Sequence, residues 1–155
     1  LRAGQENIPA VAGMGVAAEL AAAEMEANAA RVKAIRDSLL ARLPAEIPDV
    51  IATGHPEKRL PNHASFCVRY IEGEGMLLFL DQMRIRAASG SACTSKALKG
   101  SYVLEAIGVE TALAQGSIVF TMGPENRLED VERIVSAMKP IVARLREMSP
   151  IYKRK

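Results

Sequence analysis

The segment RAASGSACTSKALKGS, Arg86 to Ser101, sets one thiol, Cys93, among residues that are nearly all tiny, hydroxylated or cationic. Sulfur attacks as the thiolate, and neighbouring cations favour that form. Arg84, Arg86, Lys96 and Lys99 lie close to Cys93 in sequence. On composition alone the segment supports two readings, a reactive thiol on an accessible loop or an ordinary surface cysteine in a connection.

Other chemistry is weaker. His55, His63, Cys67 and Cys93 are nominal metal ligands, but their spacings of eight, four and twenty-six fit no compact zinc pattern, so no metal is expected. A phosphate loop needs glycine, four residues, then Gly-Lys-Ser/Thr before a helix, and SGSACTSKALKGS lacks that order. Cys67 sits in the apolar run SFCVRY, where alternation turns it away from Phe66 and Val68 and makes it a buried small hydrophobe. His55 and His63 flank a proline-containing loop and read as histidines with local hydrogen bonds.

The elements that must position Cys93 follow from periodicity. Behind Pro9, an apolar stripe at Met25, Ala29, Val32, Ile35, Leu39 and Leu43 predicts a long helix, open to a break near Gly13 and Gly15 and ending at Pro44. DVIATG and HASFCVRY predict two strands, EGEGMLLFLDQM a helix, and RIRAAS a short strand entering the cysteine loop. SYVLEAIG and ETALAQG predict helical turns closed by glycine, SIVFTMG a strand, and the chain from Leu128 a last helix. Val131, Ile134, Val135, Met138, Val142 and Leu145 would face inward there, with Pro140 a kink. This order predicts an α/β two-layer sandwich with a small mixed or antiparallel sheet packed against helices.

The bulk numbers bound the function. With 155 residues, 49% hydrophobic and 25% charged, the chain suits one globular domain, residues 1–155. Twenty basic against eighteen acidic residues leave +2, much of it in the YKRK tail, which gives no ground for nucleic acid. Two cysteines, no secretory leader pattern and no evident apolar run of about 18 residues suggest a reducing, cytoplasmic setting and no membrane. The start LRAGQENIP reads as a loop entering a helix, so the chain is expected to be a piece of something longer.

SGSACTS from Ser89 and SYVLEAIG from Ser101 resemble the catalytic-cysteine segment of the pyridoxal-phosphate-dependent cysteine desulfurases, on the class V aminotransferase fold. The resemblance continues through LRAGQENIPAVAGMGVA, GHPEKRLPNHASF, EGEGMLLFLD and GSIVFTMG, in order along essentially the whole chain. It implies the small, C-terminal domain of a fold-type I enzyme, with the large cofactor-binding domain absent. It also implies that Cys93 attacks the sulfur of substrate cysteine bound to the cofactor, leaving alanine and a persulfide. The motif is similar to the long-loop subtype, so the implied partners are sulfur-acceptor and iron-sulfur scaffold proteins, or thiolation partners. A homodimer is implied for the full-length form.

Departures from the family matter as much. The family's Schiff-base lysine follows a histidine in the large domain, and no His-Lys pair occurs here. Val119 stands where the family places an arginine that clamps the substrate carboxylate, a charge-assisted contact worth about 1.5 to 3 kcal/mol. Gln5 stands where a threonine helps bind the cofactor phosphate across the dimer, and its amide retains a donor. Arg2 lies in the same segment, near the family's substrate site. The resemblance thus implies a cysteine desulfurase small domain, inactive on its own. The alternative is a degenerate or stand-alone module that accepts persulfide, or docks an acceptor, without cofactor chemistry.

Overall fold

The first helix begins where Asn7 accepts a 3.1 Å hydrogen bond at Oδ1 from the amide of Ala10, with proline in the first turn. The computed structural model describes residues 3–90 and 101–152. In it α1 runs unbroken over Ile8–Glu46. Gly13 and Gly15 do not interrupt it, because the surrounding alanines carry high helix propensity. Nor does Pro44 end it: the helix continues to Glu46, and the Ile47 amide still donates to the Leu43 carbonyl at 3.1 Å.

Only the second half of α1 packs. Val32, Ile35, Leu39 and Leu43 are buried as the stripe predicts, whereas Met25 is exposed together with Ile8, Val11, Met14, Val16 and Leu20. Alanine methyls also give this helix an unburied 18-residue window of mean hydropathy 1.3, contrary to the sequence expectation of no such run. By length and composition alone it is apolar enough to cross a membrane.

Strands β1 (Val50–Ala52), β2 (His63–Val68) and β3 (Ser117–Thr121) form an antiparallel sheet in the order β1-β2-β3. The register places Ile51 opposite Cys67, and Cys67 in turn opposite Ser117. RIRAAS is not a strand; it contributes a single bridge, Ala88 to Val119. One sheet face carries Val50, Ala64, Phe66, Val68, Ile118 and Phe120 into the main core, where Phe66 and Phe120 meet edge to face at 6.4 Å. Against it lie α1, α2 (Gly73–Gln82) and α5 (Leu128–Met148). Helix α5 accommodates Pro140 within its span and buries Val131, Val135, Met138 and Val142, with Ile134 and Leu145 half-buried. Two short helices, α3 (Tyr102–Ala106) and α4 (Thr111–Ala114), cover part of the opposite face.

The β2–β3 pairing depends on a close approach. The Val68 amide donates to the Gly116 carbonyl at 2.9 Å, and a Cβ on Gly116 would fall 2.0 Å from the Val68 oxygen. Only glycine fits there. A charged lattice joins the α1 end to α5: Arg42 meets Glu46 at 2.6 Å and Glu132 at 2.8 Å, and Lys139 meets Glu46 at 2.7 Å. The Arg42 hydrogen bond, then that of Lys139, hold the Glu46 carboxyl down at about 2.

Two outcomes follow. Gly116→Ala should lower stability in chemical denaturation by about 3 kcal/mol, the upper range for forced overpacking, whereas Gly13→Ala, with open space around it, should raise stability by up to about 1 kcal/mol. Because the Glu46 pKa is depressed on folding, its contribution is present above the ordinary carboxylate range and lost as pH falls towards 2. The stability difference between wild type and Glu46→Gln, measured by thermal unfolding from pH 7 to 2, should therefore shrink as the pH is lowered.

Candidate functional site

The sheet face turned away from the main core holds the residues able to do chemistry. Alternation along β3 puts Ser117, Val119 and Thr121 on it, since Ile118 and Phe120 enter the core. Register brings His63, Ser65 and Cys67 of β2 to the same face. Beyond β2, the Thr53 hydroxyl donates to Ser65 Oγ at 2.7 Å within the protein, and both residues are buried.

The edge beside β3 is supplied by the chain before the cysteine segment. The amide of Val119 donates to the Ala88 carbonyl at 2.7 Å, and that of Ala88 to the Val119 carbonyl at 3.0 Å. Ile85 is buried and Ala87 packs against the main core, while Ala88, paired with Val119, shares its face.

The cysteine segment leaves and rejoins this face at one point. Gly90 donates its amide to Ser117 Oγ at 3.3 Å, and a Cβ on Gly90 would lie 3.0 Å from Ser101 Cβ. Ser117 and Ser101 are buried. The residues flanking positions 91–100 thus converge over the start of β3. Cys93, Lys96 and Lys99 lie outside the described residues, as does Arg2. Gln5 is exposed, two residues before the Asn7 cap of α1.

Cys67 behaves as its strand position predicts. It is fully buried with Leu104 and Ala114 on the covered half of this face, and burial pushes its thiol up to about 11. His55 is a loop brace: its Nδ1 accepts from the amides of Glu57 and Lys58, both at 3.0 Å. Arg59 completes that loop, donating from Nε to the His55 carbonyl at 2.8 Å and from Nη2 to the Thr53 carbonyl at 2.5 Å. Among the described residues no three His, Cys, Asp or Glu side chains gather as metal ligands. Sequence reasoning passed over Ser117, Ser101 and the Thr53–Ser65 pair. The alternation of SIVFT could have pointed to Ser117, but the meeting of Gly90 with Ser101 spans a segment whose closure no local pattern encodes.

A pyridoxal phosphate site needs an amine for the cofactor aldehyde and a cradle for its ring and phosphate. Two of the described lysines are committed elsewhere, Lys33 to Asp37 at 2.9 Å and Lys139 to Glu46 at 2.7 Å, and Lys58 belongs to the exposed His55 loop. The described residues do not by themselves fit the cofactor.

Comparison with known proteins bears on the origin of this face. The profile of class-V aminotransferases matches residues 1–134. The chain belongs to the class-V aminotransferase family. Within this family, a cysteine desulfurase of Archaeoglobus fulgidus is 44% identical over 154 residues, 99% of this chain and 40% of the relative. The cysteine desulfurase NifS of Azotobacter vinelandii is 42% identical over 151 residues, 97% of this chain and 38% of the relative. The crystal structure of a NifS-like protein from Rickettsia africae superposes with a TM-score of 0.78 at 27% identity, covering 92% of this chain and 36% of that one. The chain therefore spans about two fifths of the length of the curated relatives it matches.

Burial withdraws the Cys67 thiol of this class-V aminotransferase chain from solvent. At pH 8 an alkylating reagent should label Cys93 rapidly and Cys67 only after denaturant is added, read by peptide mass mapping. Labelling of Cys67 in the native protein would contradict its place beneath α3 and α4.

Proposed function

We propose that this chain is the small, C-terminal domain of a pyridoxal-phosphate-dependent cysteine desulfurase, with Cys93 as the sulfur carrier. The observation that supports this most directly is the identity with cysteine desulfurases along nearly the whole chain. The convergence of Gly90 and Ser101 over β3 gives the SGSACTS segment a fixed base on one sheet face.

The net reaction needs no outside oxidant. One L-cysteine and the Cys93 thiol give L-alanine and the Cys93 persulfide: the substrate carbon–sulfur bond breaks, a sulfur–sulfur bond forms, and the thiol hydrogen balances the alanine methyl. Pyridoxal phosphate, held by upstream residues that supply the Schiff-base lysine, provides the electron sink that makes the carbon–sulfur bond labile. This chain supplies the nucleophile and its tether. Gln5 would donate to the cofactor phosphate of a second subunit, and Arg2 would lie near the substrate, in a homodimer of full-length chains. The outer sulfur of the persulfide then passes to an acceptor thiol, on an iron-sulfur scaffold or a thiolation protein. That chemistry suits the cytoplasm, where thiols stay reduced. The exposed apolar groups of α1, from Ile8 to Met25, suit burial against the upstream domain.

In a coupled assay of the full-length protein with pyridoxal phosphate and a dithiol, L-cysteine should yield alanine and sulfide in equal amounts. Cys93→Ser should lower both by at least about a hundredfold, the scale lost with an essential nucleophile. Unchanged turnover in Cys93→Ser would overturn the assignment.

A further inference from the structure

We propose that the cleft between the turn after α2 and the start of α5 binds a small organic phosphate, with Arg84 and Arg86 as its anion clamp. Such a site stands apart from the desulfurase chemistry, since it uses neither Cys93 nor any residue assigned to the cofactor or the substrate. The cleft has a volume of about 690 Å³, within the range of small-molecule sites, on the order of 300–1,000 Å³. Its floor is apolar, with Ile85, Phe120 and Met122 buried and Ile134 half-buried. Three exposed guanidinium groups, of Arg84, Arg86 and Arg133, border it. An apolar floor beneath cations suits a ligand with an apolar body and a compact anionic head.

The hydrogen bonds show which charges are free to meet that head. Arg133 is engaged, donating from Nη2 to the Met83 carbonyl at 2.8 Å. The side chains of Arg84 and Arg86 make no hydrogen bond or ion pair among the described residues. Of the two acids at the cleft, Asp130 accepts from Asn126 Nδ2 at 2.9 Å and from the Arg127 amide at 3.1 Å, and these bonds hold its carboxyl below the usual carboxylate range. The Asp81 carboxylate has no such partner among the described residues. Two free cations thus oppose one free acid. A phosphomonoester has three terminal oxygens, enough to engage two guanidinium groups together, whereas one guanidinium fork already fills both oxygens of a carboxylate.

The backbone that carries the free cations is fixed without any ligand. The Arg84 amide donates to the Asp81 carbonyl at 2.8 Å, the Ile85 amide to the Leu80 carbonyl at 2.9 Å, and Ala88 exchanges bonds of 2.7 and 3.0 Å with Val119. Binding would therefore order side chains and little else. Arg84 also has a φ of 57°, in the left-handed region that favours glycine. A long side chain there costs stability, and this one delivers a cation to the cleft.

Calorimetric titration of the full-length holoenzyme, with its cofactor pocket already filled by pyridoxal phosphate, tests the site with three probes: 1-naphthyl phosphate, inorganic phosphate and a tetraglutamate peptide. The naphthyl ester should bind once per chain, at least about tenfold more tightly than inorganic phosphate, because its ring covers the apolar floor. Arg86→Ala and Arg84→Gly should each weaken the ester about tenfold, and the two together about a hundredfold. Arg84→Gly should at the same time raise the thermal midpoint by relieving the positive φ, so its loss of binding would not come from unfolding. Asp81→Asn should tighten binding severalfold by removing the unpaired acid. Holoenzyme that does not bind the ester, an ester no tighter than inorganic phosphate, or binding unmoved by both arginine variants would overturn the proposal. So would tighter binding of tetraglutamate, in favour of an acidic protein segment as the occupant. Turnover of L-cysteine, measured alongside, tests the desulfurase reading separately.

Discussion

The contact of Gly116 with the Val68 carbonyl fixes where β3 begins, and the face of the protein that can do chemistry depends on that start. With β3 set one residue later, Ser117 and Val119 would turn into the main core and Ile118 and Phe120 out of it. The observed register instead puts Ser117 where it accepts the Gly90 amide, and Val119 where it pairs with Ala88. Gly90 and Ser101, which bound the Cys93 segment, thereby meet on one surface. The glycine is needed for backbone approach, and the function it serves lies a strand away.

The two halves of the molecule are asymmetric for a physical reason. The helices α1, α2 and α5 bury one face of a three-stranded sheet, and the lattice of Arg42, Glu46, Glu132 and Lys139 aligns α1 with α5 at the surface. The other face is closed only near Cys67, by Leu104 and Ala114. Val119 and Thr121 stay incompletely covered, as does the first half of α1. Ile8, Val11, Met14, Val16, Leu20 and Met25 leave a run of apolar groups exposed along that first half.

Much of this was legible in the sequence. The inward stripes of α1 after Val32 and of α5 followed helical period, and Cys67 followed strand alternation into its own small cluster. The motifs along the chain pointed to the class-V aminotransferase family. What the pattern misread were features decided by context. The Met25 turn has the same period as the buried turns but meets no partner, and RIRAAS has strand composition but only one bridge. Pro44 removes one donor from a helix whose neighbouring turns are already buried, so α1 outlasts it. The meeting of Ser117 with Gly90, and the pairing of Ala88 with Val119, required the tertiary structure, which alternation within one strand cannot supply.

The central claim is that sulfur from cysteine comes to rest on Cys93. Full-length protein loaded with pyridoxal phosphate, given L-cysteine without reductant, quenched by alkylation and mapped by mass spectrometry should carry one additional sulfur on the peptide containing Cys93 and none on that containing Cys67. Additional sulfur on Cys67, or on neither peptide while alanine is released, would contradict it.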